Sequence, residues 1–264
     1  MTNTSGSPSF DEPILLSHSD QGVATLTLNR PWQYNALSEA LLSALQQSLD
    51  DIANDRDIRV VVISANGPAF CAGHDLKEMR ANPERPYYEQ LFQRCSRMMM
   101  GITQLPQPVI ARVHGLATAA GCQLVAACDL AIAATSARFA VSGINLGLFC
   151  SGPAVALTRN ILRKHAFETL VTGDFIDADK ALAYGLINHA VPQEDLDEAV
   201  DGLTRSILRK PASAVELGKR MFYQQFAHDQ KAAYAYASRV MADNMMLDDA
   251  QKGIDSFLNK GKQP

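Results

Sequence analysis

The chain has 264 residues, with 24 Lys and Arg against 28 Asp and Glu, for a formal charge of −4. With 47% apolar and 20% charged residues it can bury a large core, which excludes a disordered chain. A pI near 5.9 excludes a global attraction to nucleic acid, and no apolar run approaches the ~20 residues that span a bilayer.

Only 7% of residues are aromatic; much of the apolar content is alanine, 37 residues in all, ten of them between Ala117 and Ala140. The five cysteines, Cys71, Cys95, Cys122, Cys128 and Cys150, are odd in number and have no CxxC spacing. Reduced thiols in the cytoplasm are expected. The six histidines form no HxxxH or HxH pair, so no metal site is expected.

Met1 to Pro13 is polar and carries two acids without a basic n-region, so it reads as neither a secretory signal nor a transit peptide. Residues 1–12 are expected as a flexible tail. Val23–Leu28 reads as a strand, ended by Asn29-Arg30-Pro31. Ser38 is the expected N-cap of a helix running to about Ile52. Arg59–Ser64 is continuous and β-branched, as a buried strand should be. Gly67-Pro68 opens an irregular loop. Met98-Met99-Met100 lies in a helical stretch, as core or as the lining of a ligand pocket.

Val109–Val113 is a second buried strand. Gly115–Gly121 reads as a small-residue loop into a helix ending at Cys128, and Asp129–Ala134 as a third strand. Strands alternate with helices to about Val191, which is α/β architecture with crossovers. From there the pattern is helical: Glu194–Ser206, Ala212–Phe226, His228–Met246 and Ala250–Leu258, with Pro211 separating two of them. The expected division is a core over 13–205 and a helical unit over 206–264.

Two segments stand out for chemistry. One is Phe70-Cys71-Ala72-Gly73-His74-Asp75-Leu76-Lys77-Glu78-Met79, the other Gly115-Leu116-Ala117-Thr118-Ala119-Ala120-Gly121-Cys122-Gln123-Leu124. Each follows a β-rich segment and leads into a helix, where free N–H groups and the helix dipole favour negative charge. Side by side they can hold an oxyanion; alone, each is an ordinary strand-to-helix connection.

These segments, with Asn29-Arg30-Pro31 and Asn35-Ala36-Leu37 before them and Asp129-Leu130-Ala131-Ile132-Ala133, Leu146-Gly147-Leu148 and Thr172-Gly173-Asp174 after, resemble the crotonase (enoyl-CoA hydratase/isomerase) superfamily over roughly residues 12 to 262. The resemblance implies a spiral of ββα units with a C-terminal helical trimerisation domain, assembled as homotrimers or dimers of trimers. It implies an acyl-CoA ligand, with coenzyme A arriving as part of the substrate and no separate cofactor. The thioester oxygen would sit between the backbone N–H groups of His74 and Ala120. Ala72, Gly73, Asp75, Leu76, Lys77, Gly121, Phe257 and Lys260 are the substrate-binding candidates it implies, and Lys262 is a further cation for the coenzyme A phosphates.

Two positions depart from that pattern. A hydratase of the family uses two glutamates to add water across a double bond, one acid and one base in register. Their positions here are Gln123 and Gly143. An amide orients water but neither takes nor gives a proton near neutral pH; glycine supplies nothing. Efficient hydration is therefore not expected, and whether the chain is an enzyme stays open; if it is one, the resemblance implies a lyase or isomerase acting on acyl-CoA thioesters. A decarboxylase branch of the superfamily also carries Ala-Gly-His-Asp, and decarboxylation needs an enolate sink rather than two glutamates; a protein that only binds acyl-CoA is the other alternative.

Several side chains keep two readings. The His74 imidazole either donates a proton or packs the loop, and Asp75 either caps a helix or meets the ligand. Cys150 is a nucleophile only with a depressed pKa and a base, and otherwise a pocket wall. Ser151 is a candidate beside it or a helix cap. The basic residue often found after Asn-Arg-Pro is Trp32 here, which removes one phosphate contact.

Overall fold

The computed structural model describes residues 12–259; the expected tail over 1–12 and Lys260 and Lys262 lie almost wholly outside that range. Ten strands form two sheets. The larger contains β1 (Leu15–Asp20), β2 (Val23–Leu28), β3 (Val60–Ala65), β5 (Val109–Val113), β7 (Leu130–Ala134) and β10 (His189–Val191), in the order β1-β2-β3-β5-β7-β10. The smaller contains β4 (Ala69–Cys71), β6 (Leu116–Thr118), β8 (Arg138–Ala140) and β9 (Ile176–Asp177), in that order. β1 and β2 are antiparallel, as are β8 and β9; the other pairings are parallel.

The chain alternates between the sheets. β3 is followed by β4 and then α2 (Leu76–Ala81) and α3 (Arg85–Gln104). β5 is followed by β6 and α4 (Ala120–Ala127), and β7 by β8 and α5 (Ser151–Asn160). This is a spiral of ββα units. Before it, α1 (Glu39–Asn54) starts where Ser38 Oγ accepts the Leu41 N–H, and buries Leu41, Leu42, Leu45, Leu49 and Ile52. Its apolar stripe recurs at helical spacing, so one face covers the core. Met98 and Met99 of α3 are buried core, and Met100 is exposed.

The segment expected as a loop over Gly115–Gly121 contains β6. Its three strand residues are too few for a periodic signal, and parallel pairing to β4 and β8 makes them a strand. β1 escapes detection because its outward residues are polar, as suits a sheet edge.

After α6 (Arg163–Thr172) and α7 (Ala178–Tyr184), the chain ends in α8 (Leu196–Leu208), α9 (Ala212–Gln225), α10 (Gln230–Met245) and α11 (Asp248–Asn259). The division expected after residue 205 falls inside α8. Helix α9 is tied to the core by Lys219, whose buried Nζ donates to the carbonyls of Ile102 and Gln107 and to Asp129 Oδ2 at 2.6 Å. Asp129 also accepts the Val109 N–H and the Tyr223 hydroxyl. Every donor of the ammonium is used, which is what lets a lysine lie buried.

Helix α4 is buried on all sides. A Cβ at Gly121 would lie 2.0 Å from the Cys71 carbonyl oxygen, so only glycine lets α4 approach β4 this closely. Alanine along the remaining faces keeps the neighbouring layers close.

Candidate functional site

The strands β4, β6 and β8 are adjacent and parallel, so their C-terminal ends meet at one edge of the small sheet, where α/β folds build their sites. The three segments leaving them carry His74, Ala119–Gln123 and Ser142–Cys150. Residues distant in sequence are thereby brought together.

His74 pairs with Leu37 through its neighbours: the Leu37 N–H donates to Gly73 O at 2.7 Å and the Asp75 N–H donates to Leu37 O at 3.2 Å. The His74 N–H itself therefore points away from Leu37, and no backbone acceptor takes it among the described residues. Ala120 opens α4, where an N–H has no partner one turn earlier. Ala119 before it holds φ +49° and ψ −118°, a strained conformation for an L residue, while its N–H donates to Ala140 O at 2.9 Å. Gly73, at φ +95°, brings the loops into contact: a Cβ there would lie 3.3 Å from Ala120 N and 2.9 Å from Ala119 Cβ. The two loops thus touch at Gly73, beside Ala120, and the N–H groups of His74 and Ala120 take no backbone acceptor among the described residues.

Arg30 and Asp75 hold the first loop. Arg30 Nη2 lies 3.0 Å from Asp75 Oδ2 and Nη1 donates to the Ala36 carbonyl, with both side chains about 11% exposed. Asp75 Oδ1 accepts the N–H groups of Lys77 and Glu78, capping α2. Desolvation of Asp75 is outweighed by Arg30 and these amides, which hold its carboxyl below the usual range. Both oxygens are engaged, so Asp75 braces the loop. Asn35, fully buried at φ +53°, accepts the Arg30 N–H and donates to the carbonyls of Asn66 and Ala69. Sequence reading gave Asn35 no role; its signal was its place in the Asn35-Ala36-Leu37 segment.

The His74 ring stands edge-on to Phe92, with Nδ1 buried and without a hydrogen-bond partner. Burial pushes its pKa below the ordinary value, with the Leu37 backbone acting weakly the other way, so the ring is neutral at pH 7. Gln123 is buried on α4. At Gly143 there is no room for a side chain: a Cβ would lie 2.6 Å from Cys150 Sγ and 2.8 Å from Leu148 O. Cys150, not Ser151, is the N-cap position of α5, and the Ser151 hydroxyl is turned to Phe149 O at 3.4 Å. Cys71 and Cys122 are buried behind the loops, their thiols pushed up to about 12 by burial.

The remaining candidates scatter. Ala72 is half-buried, and Gly121 packs on the Cys71 backbone. Leu76 and Lys77 are exposed on α2. Phe257, on α11, is 77% exposed.

A family model described as enoyl-CoA hydratase/isomerase matches residues 18–264. The chain is 47% identical over 250 residues to enoyl-CoA hydratase domain-containing protein 3, mitochondrial, of Rattus norvegicus, a match spanning 94% of this chain and 83% of that protein. Its structure is similar to a crystal structure of an enoyl-CoA hydratase of Mycobacterium smegmatis, at 57% identity and a TM-score of 0.93, covering 94% of this chain and 97% of that one. It is also similar to the crystal structure of human enoyl coenzyme A hydratase domain-containing protein 3, at 45% identity and a TM-score of 0.91, covering 94% and 98%. With the fold, the sequence and the order of its motifs in agreement, the chain belongs to the enoyl-CoA hydratase/isomerase family.

Proposed function

We propose that the protein binds an acyl-CoA thioester and stabilises its enolate between the backbone N–H groups of His74 and Ala120, without the acid–base pair of a hydratase. The observation that carries this reading is the contact of the two loops at Gly73, with both N–H groups unclaimed among the described residues. One preorganised donor of this kind is worth about 3–4 kcal/mol of transition-state charge. Against hydration stand the neutral amide of Gln123 and the absence of room at Gly143.

The test is turnover of crotonyl-, malonyl-, methylmalonyl-, β-hydroxybutyryl- and acetyl-CoA followed by mass spectrometry. Weak hydration of crotonyl-CoA is expected, and a kcat of about 10 s⁻¹ or more, the range of ordinary enzymes, overturns it. Loss of CO₂ from either malonyl thioester identifies decarboxylation; tight binding with no product identifies a binding protein. Ala120→Pro removes one N–H at a helix position that tolerates proline, and turnover that survives it refutes the pair of donors.

The reading extends to assembly and location. Phe222, Phe226, Met241, Met246, Phe257 and Leu258 are exposed on or beside the C-terminal helices, and apolar exposure of this kind marks association surfaces. Association of copies through these helices as trimers or dimers of trimers covers it; a monomer in light scattering refutes this. Among the described residues no helix is long and apolar enough to cross a membrane. The cytoplasm is the proposed compartment because all five cysteines are free thiols; recovery in mitochondria, the location in the rat relative's name, overturns it.

A further inference from the structure

The edge where β4, β6 and β8 end has lost both expected carboxylates, yet it is not chemically empty. Position 143 lacks a side chain because another residue occupies its place. A Cβ on Gly143 would meet Cys150 Sγ at 2.6 Å. The thiol therefore sits where a side chain at 143 would begin, half-buried at the start of α5.

A second, independent feature faces the same place. Gln123 is 6% exposed, and its side-chain amide makes no hydrogen bond among the described residues. That amide reaches the first turn of α5: a Cβ on Gly152 would lie 3.2 Å from Gln123 Oε1 and 3.6 Å from Nε2. An amide placed in this way is free to meet a polar ligand group or water. Gln123 and Ala120 share a helical turn, about 5 Å apart along the axis. Gln123 thus lies one turn after Ala120, and its amide lies beside the first turn of α5, which Cys150 immediately precedes.

Several other polar groups at this edge are occupied or chemically unsuited. Asp75 is bound to Arg30 and caps α2, and Glu78 accepts the Glu39 N–H at 2.9 Å. Asn145 donates to Gly173 O. Ser151 is turned to Phe149 O. The neutral ring of His74 carries its one proton on a nitrogen far less acidic than a thiol.

We propose that Cys150 is the proton donor and acceptor of the site, delivering its thiol proton to the α-carbon of the enolate held by His74 and Ala120. In that step the S–H bond breaks and a C–H bond forms at Cα. The electron pair comes from the enolate double bond, the thioester carbonyl is restored, and negative charge passes from oxygen to sulfur. Water then reprotonates the thiolate. In reverse, the thiolate removes an α-proton; nothing is oxidised or reduced. The inference rests on the acyl-CoA reading above and adds the group that closes the reaction.

The setting of the thiol suits a donor rather than a nucleophile. Desolvation raises its pKa above the ordinary value, with the Gly143 backbone acting in the opposite direction. Of the elements packed around it, α4 contributes one titratable side chain, Cys122, itself neutral at about 12. The Ser142–Phe149 segment contributes none, and Arg159 lies in the last turn of α5. Cys150 is accordingly protonated at neutral pH, as a proton donor to an enolate must be.

The experiment is exchange of the α-hydrogens of butyryl-CoA in D₂O, read by mass spectrometry and NMR on the full chain, beside a titration of butyryl-CoA binding. A saturated thioester has no double bond to hydrate and no carboxylate to lose, so exchange isolates proton transfer. The wild type is expected to exchange one α-hydrogen stereospecifically, at a rate that rises with pH through and above the ordinary thiol range. Cys150→Ser, at unchanged butyryl-CoA affinity, is expected to exchange about 100-fold more slowly or worse, the usual scale of a lost acid–base group. If the variant does not fold, wild type capped reversibly with methyl methanethiosulfonate and released with dithiothreitol gives the same comparison. Exchange in Cys150→Ser within ten-fold of wild type at equal affinity overturns the inference. So does wild type that binds butyryl-CoA but exchanges nothing up to pH 10, an outcome that leaves the acyl-CoA reading standing. Absence of binding to any CoA thioester refutes that reading, and this inference with it.

Discussion

Replacing Gly121 by alanine sets two effects of opposite sign against each other. In a free helix the change is favourable by about 1 kcal/mol, because alanine restricts the unfolded chain and suits the helix. Here the added Cβ would lie 2.0 Å from the Cys71 carbonyl oxygen and 2.7 Å from its carbon, about 1.4 Å short of an ordinary 3.4 Å contact. The obstacle is main chain of β4, which no rotamer change relieves. Helix α4 must back away, and overpacking of this kind costs about 1–3 kcal/mol or more. The upper end applies, because α4 is buried on every side. A net loss of about 2 kcal/mol is expected, a fall in Tm of about 4–8 °C for a chain of this size. Gly202→Ala in α8 is the control: its nearest neighbour is the flexible end of Arg205 at 4.0 Å, and a gain of about 0.5–1 kcal/mol is expected. Urea denaturation monitored by circular dichroism measures both. Wild-type stability in Gly121→Ala, or a loss in Gly202→Ala, would refute the reasoning.

Three further changes test other parts of the structure. Asp75 has a depressed folded pKa, so its contribution is complete above the ordinary carboxylate value and fades as pH falls through the folded one; Asp75→Asn should cost about 3 kcal/mol at pH 7 and flatten the acid limb of stability against pH. Lys219→Ala leaves Asp129 buried without its cation and should cost about 3–5 kcal/mol, read as a lower urea midpoint. Ala119→Gly relieves a strained φ of +49° worth about 1–3 kcal/mol at the cost of chain entropy; thermal denaturation should show a gain of about 1 kcal/mol, and a loss would mean that Ala119 is not strained.

The parts of the fold legible in the sequence were those with long, uniform patterns. β3, β5 and β7 are largely buried and read as β-rich runs, broken in β5 only by Arg112, and the C-terminal helices read within two residues of their ends. The small sheet did not read, because three-residue strands such as Ala69–Cys71 and Arg138–Ala140 are too short to carry a period. Their parallel pairing is what gathers the site. The Arg30–Asp75 brace was equally hidden: each residue reads separately, and the pairing across 45 positions appears only in space. The two departures from the hydratase pattern read directly from the letters at 123 and 143. What the letters did not convey is that Cys150 fills the place beside Gly143, since that depends on the turn between them.

The way β4, β6 and β8 end at one edge separates two duties. On the proposed reading, charge on the ligand is met by main-chain N–H groups, which no side-chain replacement except proline removes. On the same reading proton transfer falls to Cys150, since Gln123 has no proton to exchange and Gly143 no side chain; the three positions lie on different helices or turns. Reaction type is thus free to drift while the grip on the ligand stays fixed. The drift is nevertheless coupled: restoring glutamate at 123 and 143 alone would drive the second against Cys150 Sγ and Leu148 O. A return to hydratase chemistry therefore requires the turn to be rebuilt as well as the acids restored.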